Sequence, residues 1–207
     1  MKIPIHYFLA SLALCLSFGV VTAAQDKPNL NVDEKRIINA NDEAGNWMSH
    51  GRTYDEQRFS PLTQVSDKNV GDLGLAWAVS TDVGRGHEAT PIVVDGVMYI
   101  TLPWSKVLAL NAKTGAELWR YDPEVNPVKG RDACCDVVNR GVAIWKGLLY
   151  LGALDGRLIA LDAETGKELW STQTTDPDGE YTITGAPRVV KDKVIIGNGG
   201  AEYGVRG

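Results

Sequence analysis

Apolar residues in this chain fall in short runs, each bounded by turn-forming residues rather than extended over several helical turns. Runs of that length favour strands over helices. Ala89–Val94 and Val97–Leu102 flank Asp95-Gly96, a strong two-residue hairpin signal because both central positions take positive φ. Lys106–Asn111 and Glu117–Tyr121 follow, separated by Ala112-Lys113-Thr114-Gly115. The pattern then returns. VLALNAKTGAELW at 107–119 recurs as LIALDAETGKELW at 158–170, and Asp95–Tyr99 recurs as Lys146–Tyr150, all at one constant offset. Four strands per repeat and a period of about 50 residues are the signature of β-propeller blades. A second blade is predicted from about Gly141 to Thr172, and a third begins with Ala186–Val190 and Val194–Gly197.

Trp119 and Trp170 close the outer strand of each repeat. A ring there can cover the junction with the next blade and bury roughly 150–250 Å². Ala109/Ala160, Thr114/Thr165 and Gly115/Gly166 are expected to keep the opposing turn small enough for docking. These positions carry structure and no chemistry. Propellers typically close with about four to eight blades, so two and a half blades read as the N-terminal part of a longer protein.

Composition narrows the class. There are 22 Gly and six Trp against three Phe, and 44% hydrophobic residues. That is a turn-rich globular chain in which long helices are largely excluded. The formal charge is −5, without a Lys/Arg cluster, which argues against nucleic acid as a partner. Met1 to about Ala24 reads as a secretory signal peptide: Lys2, an apolar run from Tyr7 to Val21, then Thr22-Ala23-Ala24. The alternative is a retained anchor, for which the run is short against the ~20 residues of a membrane span. Cys15 is expected to leave with the signal. Residues 25–207 then form the propeller part, in an oxidising compartment.

Cys134 and Cys135 are adjacent. Their readings are a strained vicinal disulfide, two free thiols, or pairing elsewhere; export and the loss of Cys15 favour the first. Such a ring closes almost no loop and is a poor staple, so its value would lie in its shape. Gly199-Gly200-Ala201-Glu202-Tyr203-Gly204 follows a strand. Small residues there admit a ligand to the backbone, and Glu202 offers a hard oxygen for a cation such as Ca²⁺. The bland reading of Glu202 is a solvated turn residue. His87 lacks a second His or Cys at zinc spacing. Glu88 and Arg140, taken singly, are ordinary loop charges.

Together, Asn46-Trp47, the run GRTYDEQRFSPL at 51–62, DACCDVVNRG at 132–141, the Trp repeats and GGAEYG at 199–204 resemble the pyrroloquinoline quinone (PQQ)-dependent alcohol dehydrogenases. The likeness covers about Asn46 to Gly207 and leans toward the quinohaemoprotein branch. It implies an all-β, eight-bladed propeller in the full-length protein, and oxidation of alcohols to aldehydes. The Cys134–Cys135 ring would pack against one face of PQQ. Arg140 and Glu88 would bind its polar edge, with Thr184 and the backbone of Gly200 and Ala201 completing the pocket. Glu202 would ligate Ca²⁺, with a lanthanide as the alternative metal.

In that family the general base (an Asp), an Asn metal ligand and a stacking Trp come from later blades and have no match here. No catalytic residue is therefore assigned in this chain, which alone should be inactive. No C-x-x-C-H occurs, so a haem c domain would lie beyond Gly207. The resemblance also implies a small alcohol as substrate, a cytochrome c or quinone as electron acceptor, a periplasmic address and peripheral membrane association of the full enzyme. The rival reading is a non-catalytic envelope scaffold built on the same repeats. It explains the blades but gives no reason for Cys134-Cys135, Arg140 or Glu202.

Overall fold

The computed structural model describes residues 27–206; the signal peptide expected over 1–24 lies outside them. Among the described residues, ten strands form three sheets. The first is β1 (Ile92–Val94), β2 (Val97–Leu102), β3 (Lys106–Asn111) and β4 (Glu117–Tyr121), antiparallel and in chain order. The second repeats it with β5 (Ala143–Trp145), β6 (Leu148–Gly152), β7 (Arg157–Asp162) and β8 (Glu168–Gln173). A third hairpin follows, β9 (Arg188–Val190) with β10 (Lys193–Ile195). These are the two and a half blades that the repeat predicts.

The inner strands start later than expected, at Ile92 and Arg188, each just after a proline (Pro91 and Pro187). Proline has no N–H to give to a ladder. The only α-helix among the described residues is α1 (Glu34–Ile38), whose first turn is capped by the Asp33 carboxylate accepting from the Arg36 N–H at 2.9 Å. No helix of the described residues is long and apolar enough to cross a membrane. Trp47 exchanges two backbone hydrogen bonds with Val93, so the N-terminal segment lies along the β1 edge.

Blade packs on blade through alternate strand residues. Ile92, Tyr99, Val107 and Ala109 of the first sheet and Leu149, Leu151, Ile159 and Leu161 of the second share one buried cluster. Each buried Val, Leu or Ile among them contributes about 1.5–3 kcal/mol on burial. The tryptophans set the spacing between sheets. Trp119 Nε1 donates to Ala163 O at 3.2 Å, and the same carbonyl accepts from Tyr99 Oη at 2.9 Å. Gly166 lies under the Trp119 ring at φ +71°, where a Cβ would stand 2.5 Å from a ring carbon. Only glycine fits both the left-handed backbone and the contact.

Two details differ from the sequence expectation. Ala109 and Ala160 do not belong to the opposing turn; each is the cross-strand partner of the tryptophan in its own blade. Their small side chains make room for the ring within a sheet, and the glycine makes room between sheets. The second is Trp77. Its ring covers Gly115 as Trp119 covers Gly166, with Nε1 donating to Ala112 O at 3.2 Å. Leu73–Trp77 is thus the end of an outer segment preceding the first full blade.

Candidate functional site

The site residues expected from the sequence converge at one end of the sheets. Seven residues before each hairpin turn (Asp95, Lys146, Lys191) stand Glu88, Asn139 and Thr184, one from each successive blade. Arg140 follows Asn139 and draws the three blades together. Its Nη2 bonds Glu88 Oε2 at 2.8 Å, and its Nη1 donates to Thr184 Oγ1 at 2.7 Å. Its backbone is held on both sides: Arg140 N donates to Thr184 O at 2.9 Å, and Thr90 N donates to Arg140 O at 3.2 Å. The Arg140 side chain is 41% exposed and lines a cleft of about 570 Å³ together with Thr184, Gly199, His50 and Arg188.

Cys134 and Cys135 follow a six-residue 3₁₀ segment, Pro127–Asp132, that ends at Ala133 and packs through Gly130 on Trp104 and Val137. Both side chains are exposed, and their sulfurs face each other at 2.7 Å as free thiols. The structure therefore juxtaposes the pair as the motif implies but does not form the expected disulfide; closing it requires a further approach to about 2.05 Å and strain in the ring that includes the intervening peptide. Hydrogen bonding to Cys135 first, and then to Glu202, pushes the Cys134 thiol up to about 12. The Glu202 carboxylate is held below its usual range, first by its own backbone N–H and then by Cys134.

Glu202 sits in the 3₁₀ turn Ala201–Tyr203, entered through Gly200 at φ +125°. A Cβ on Gly200 would stand 2.5 Å from Glu180 O, so the backbone there comes closer than any other residue allows. Thr182 and Gly199 exchange backbone bonds at 3.3 and 2.7 Å, which ties this turn to the strand leading from Thr184. The structure thus forms two groups, Glu88–Arg140–Thr184 and Cys134–Cys135–Glu202, bridged at the 182–200 segment.

Sequence reasoning missed a second bridge. Asp136 follows the cysteines at φ +75° and receives the Arg85 guanidinium, with Nε at 2.8 Å, and the Gly86 N–H at 3.4 Å. That ion pair lowers the Asp136 carboxyl to about 2 and ties the cysteine loop to the segment that carries Glu88. Its partners lie about 50 positions apart in loops outside the repeat, so no periodic signal marks them. Asn139 was also missed, although it adjoins Arg140 and is level with Glu88 in the repeat.

The donor set suits a flat, polyanionic group. It has a planar arginine fork for carboxylates, a hydroxyl, a glycine cradle and a shallow sulfur surface. It suits a metal less completely. No group of three or more His, Cys, Asp or Glu among the described residues could hold an ion, so Glu202 would be one ligand of a shared set.

A family model for PQQ proteins, the glucose/ethanol/alcohol dehydrogenase β-propeller domain, matches residues 47–204. The chain is 58% identical over all 207 residues to quinohemoprotein alcohol dehydrogenase ADH IIB of Pseudomonas putida, covering 29% of that protein. Against the 1-butanol dehydrogenase (cytochrome c) of Thauera butanivorans it is 58% identical over 79% of the chain and 24% of the relative. The solved quinohemoprotein alcohol dehydrogenase ADHIIG of Pseudomonas putida HK5 superposes with a TM-score of 0.84 and 63% identity, over 86% of this chain and 26% of that one. A europium-containing methanol dehydrogenase gives 0.78 and 46%, over 83% and 30%. The chain thus spans about 29% of the length of the curated relatives it matches end to end. With its Trp-docked blades, its vicinal cysteines and its arginine-centred rim, the chain belongs to the PQQ-dependent alcohol dehydrogenase β-propeller family.

Proposed function

We propose that these residues form part of the cofactor cradle of an exported, PQQ- and Ca²⁺-dependent alcohol dehydrogenase that oxidises small alcohols to aldehydes. The observation that carries this reading is Arg140, held by Glu88 and Thr184 from neighbouring blades with its guanidinium open to the cleft. A fork fixed in that way binds a carboxylate without first paying the rotamer entropy of a free arginine.

Glu88 and Thr184 orient the fork, and Gly200 and Ala201 bring backbone to the cofactor edge. Cys134 and Cys135 give the face a flat sulfur platform. In the export compartment the two thiols close to a disulfide, passing two electrons and two protons to a thiol oxidant. Glu202, kept anionic by its own N–H and by Cys134, supplies one metal oxygen; the europium-bearing relative makes a lanthanide the alternative ion. PQQ, when bound, supplies the quinone carbonyl that accepts hydride, with the metal as Lewis acid. The proton-abstracting base has no candidate in these residues, and this chain alone is expected to be inactive.

The relatives' names, cytochrome c in one and quinone in others, support either acceptor. The quinohaemoprotein names support a haem domain elsewhere in the whole protein. A periplasmic address fits the signal peptide expected over residues 1–24, and peripheral membrane association of the full enzyme is part of the same proposal. The scaffold reading is not favoured, since the 58% identity across this chain is to named alcohol dehydrogenases.

The test is alcohol oxidation by the full-length protein reconstituted with PQQ across a Ca²⁺ titration, with Glu202→Gln beside wild type. Glu202→Gln keeps the size and removes the charge. It is expected to need more Ca²⁺ for half-activity and to recover part of the rate at excess Ca²⁺. Wild-type Ca²⁺ dependence and rate in the variant would return Glu202 to a solvated turn residue.

A further inference from the structure

We propose that Asn139 is a positioning residue for Arg140, fixing the direction in which the arginine meets the cofactor; the inference rests on the PQQ reading above. Glu88 and Thr184, its equivalents in the neighbouring blades, turn their side chains toward the guanidinium. Asn139 turns the other way. It is 1% exposed, and every polar atom of its amide has a partner. Oδ1 accepts from Gly141 N at 3.1 Å, an Asx-type turn that spans Arg140. Nδ2 donates to Gly152 O of β6 at 2.8 Å and to Ser105 Oγ at 3.3 Å. The Asn139 carbonyl accepts from Thr101 Oγ1 of β2 at 3.1 Å. Thr101 and Ser105 are themselves buried, at 1% and 0%, and Ser105 Oγ also accepts from Leu154 N at 2.9 Å.

One side chain thus ties the first blade, the second blade and the backbone on both sides of the arginine. The consequence is geometric. Arg140 leaves its backbone from a residue whose two flanking peptides are fixed, and a buried, fully satisfied network is rigid because any displacement strands a desolvated polar group. Moving the Arg140 Cα out of this position would stretch the bonds to the Gly152 carbonyl and the Gly141 amide. Asparagine is suited to the position because only an amide offers an acceptor to Gly141 and donors to Gly152 and Ser105 from one planar group.

The role differs from simple stabilisation in one measurable respect: it acts on the cofactor only through Arg140. A double-mutant cycle isolates that coupling. Full-length apoprotein at fixed Ca²⁺ is titrated with PQQ by tryptophan fluorescence quenching, for wild type, Asn139→Ala, Arg140→Ala and the double variant. Asn139→Ala is expected to weaken PQQ binding about tenfold, the scale of one lost buried hydrogen-bond set. In the Arg140→Ala background the same change is expected to alter affinity less than about twofold. A tenfold loss in both backgrounds, or none in either, overturns the proposal.

If Asn139→Ala does not fold, Thr101→Val is read in the same cycle. It removes only the bond to the Asn139 carbonyl, with an expected loss of about threefold that disappears without Arg140; an additive loss, or no loss, again overturns it. Wild-type protein that binds no PQQ overturns the cofactor reading and this inference together, whereas tight wild-type binding with uncoupled variants overturns the inference alone.

Discussion

The outer edge and the inner rim of the blades are made by the same repeat, and they use it in opposite ways. At the outer edge the residues recur. Trp77 on Gly115 and Trp119 on Gly166 are one contact made twice, each indole N–H donating at 3.2 Å to a carbonyl of the turn it covers. At the inner rim, equivalent positions hold Glu88, Asn139 and Thr184, and beside them Ala89, Arg140 and Gly185. A junction between neighbouring sheets is the same problem at every step round the propeller, so one solution serves each time. A single unsymmetrical ligand at the rim, as proposed for PQQ, would meet each blade once, so each blade would present a different group. On the proposed cofactor reading, identity between blades at the outer edge marks scaffolding, and its loss at the inner rim accompanies the site.

The sharpest way to break that division is Gly166→Ala. The added Cβ would meet the Trp119 ring at 2.5 Å from a backbone at φ +71°. Strain and overpacking together should cost about 2–5 kcal/mol of stability in the full-length protein, read by thermal or denaturant unfolding. An unchanged melt would mean that the ring does not define the junction. On the rim the sharper probe is pH. With its pKa pushed up to about 12 by Cys135 and Glu202, Cys134 of the reduced protein carries almost no thiolate at pH 8, where an ordinary cysteine (pKa ~8.5) is about a quarter ionised. Alkylation of Cys134, followed by fragment mass spectrometry, should be at least about a hundredfold slower than for a free cysteine peptide at pH 8. It should rise as pH climbs through 10–12, and earlier in Glu202→Gln. Free-thiol reactivity at pH 8 would show that Glu202 and Cys135 do not share the proton. The smallest effect belongs to Glu164→Gln, on the outer turn, where an exposed pair with Lys27 at 2.9 Å is all that is lost. Its stability should stay within about ±0.5 kcal/mol.

The blades were legible in the sequence because the offset between Gly115 and Gly166 also relates Trp119 and Trp170, and because Asp95-Gly96 and Lys146-Gly147 announce their hairpins; Asp95 and Gly96 do take φ +46° and +82°. Trp77 escaped because, among the described residues, no hairpin or paired strand precedes it to establish a register. The strands β1 and β9 came out short because a proline sits at the start of each apolar run. The rim was legible only in part. Arg140, Glu88 and Thr184 were placed by resemblance, since singly they are ordinary loop residues. The Arg85–Asp136 pair joins two loops, and the Asn139 network joins a loop to strand residues Thr101 and Gly152 of two blades; such contacts follow from three-dimensional closure rather than from any local pattern.

The most direct test of the divided repeat is PQQ binding and unfolding measured side by side on full-length Arg140→Ala. Its side chain is 41% exposed and bonds only Glu88 and Thr184 among the described residues, so the apoprotein should melt within about 1 kcal/mol of wild type. The loss of a charge-assisted fork to a carboxylate should weaken PQQ binding by about ten- to a hundredfold. Wild-type PQQ affinity in Arg140→Ala, or a loss of stability matching that of Gly166→Ala, would contradict the assignment of the inner rim to the cofactor.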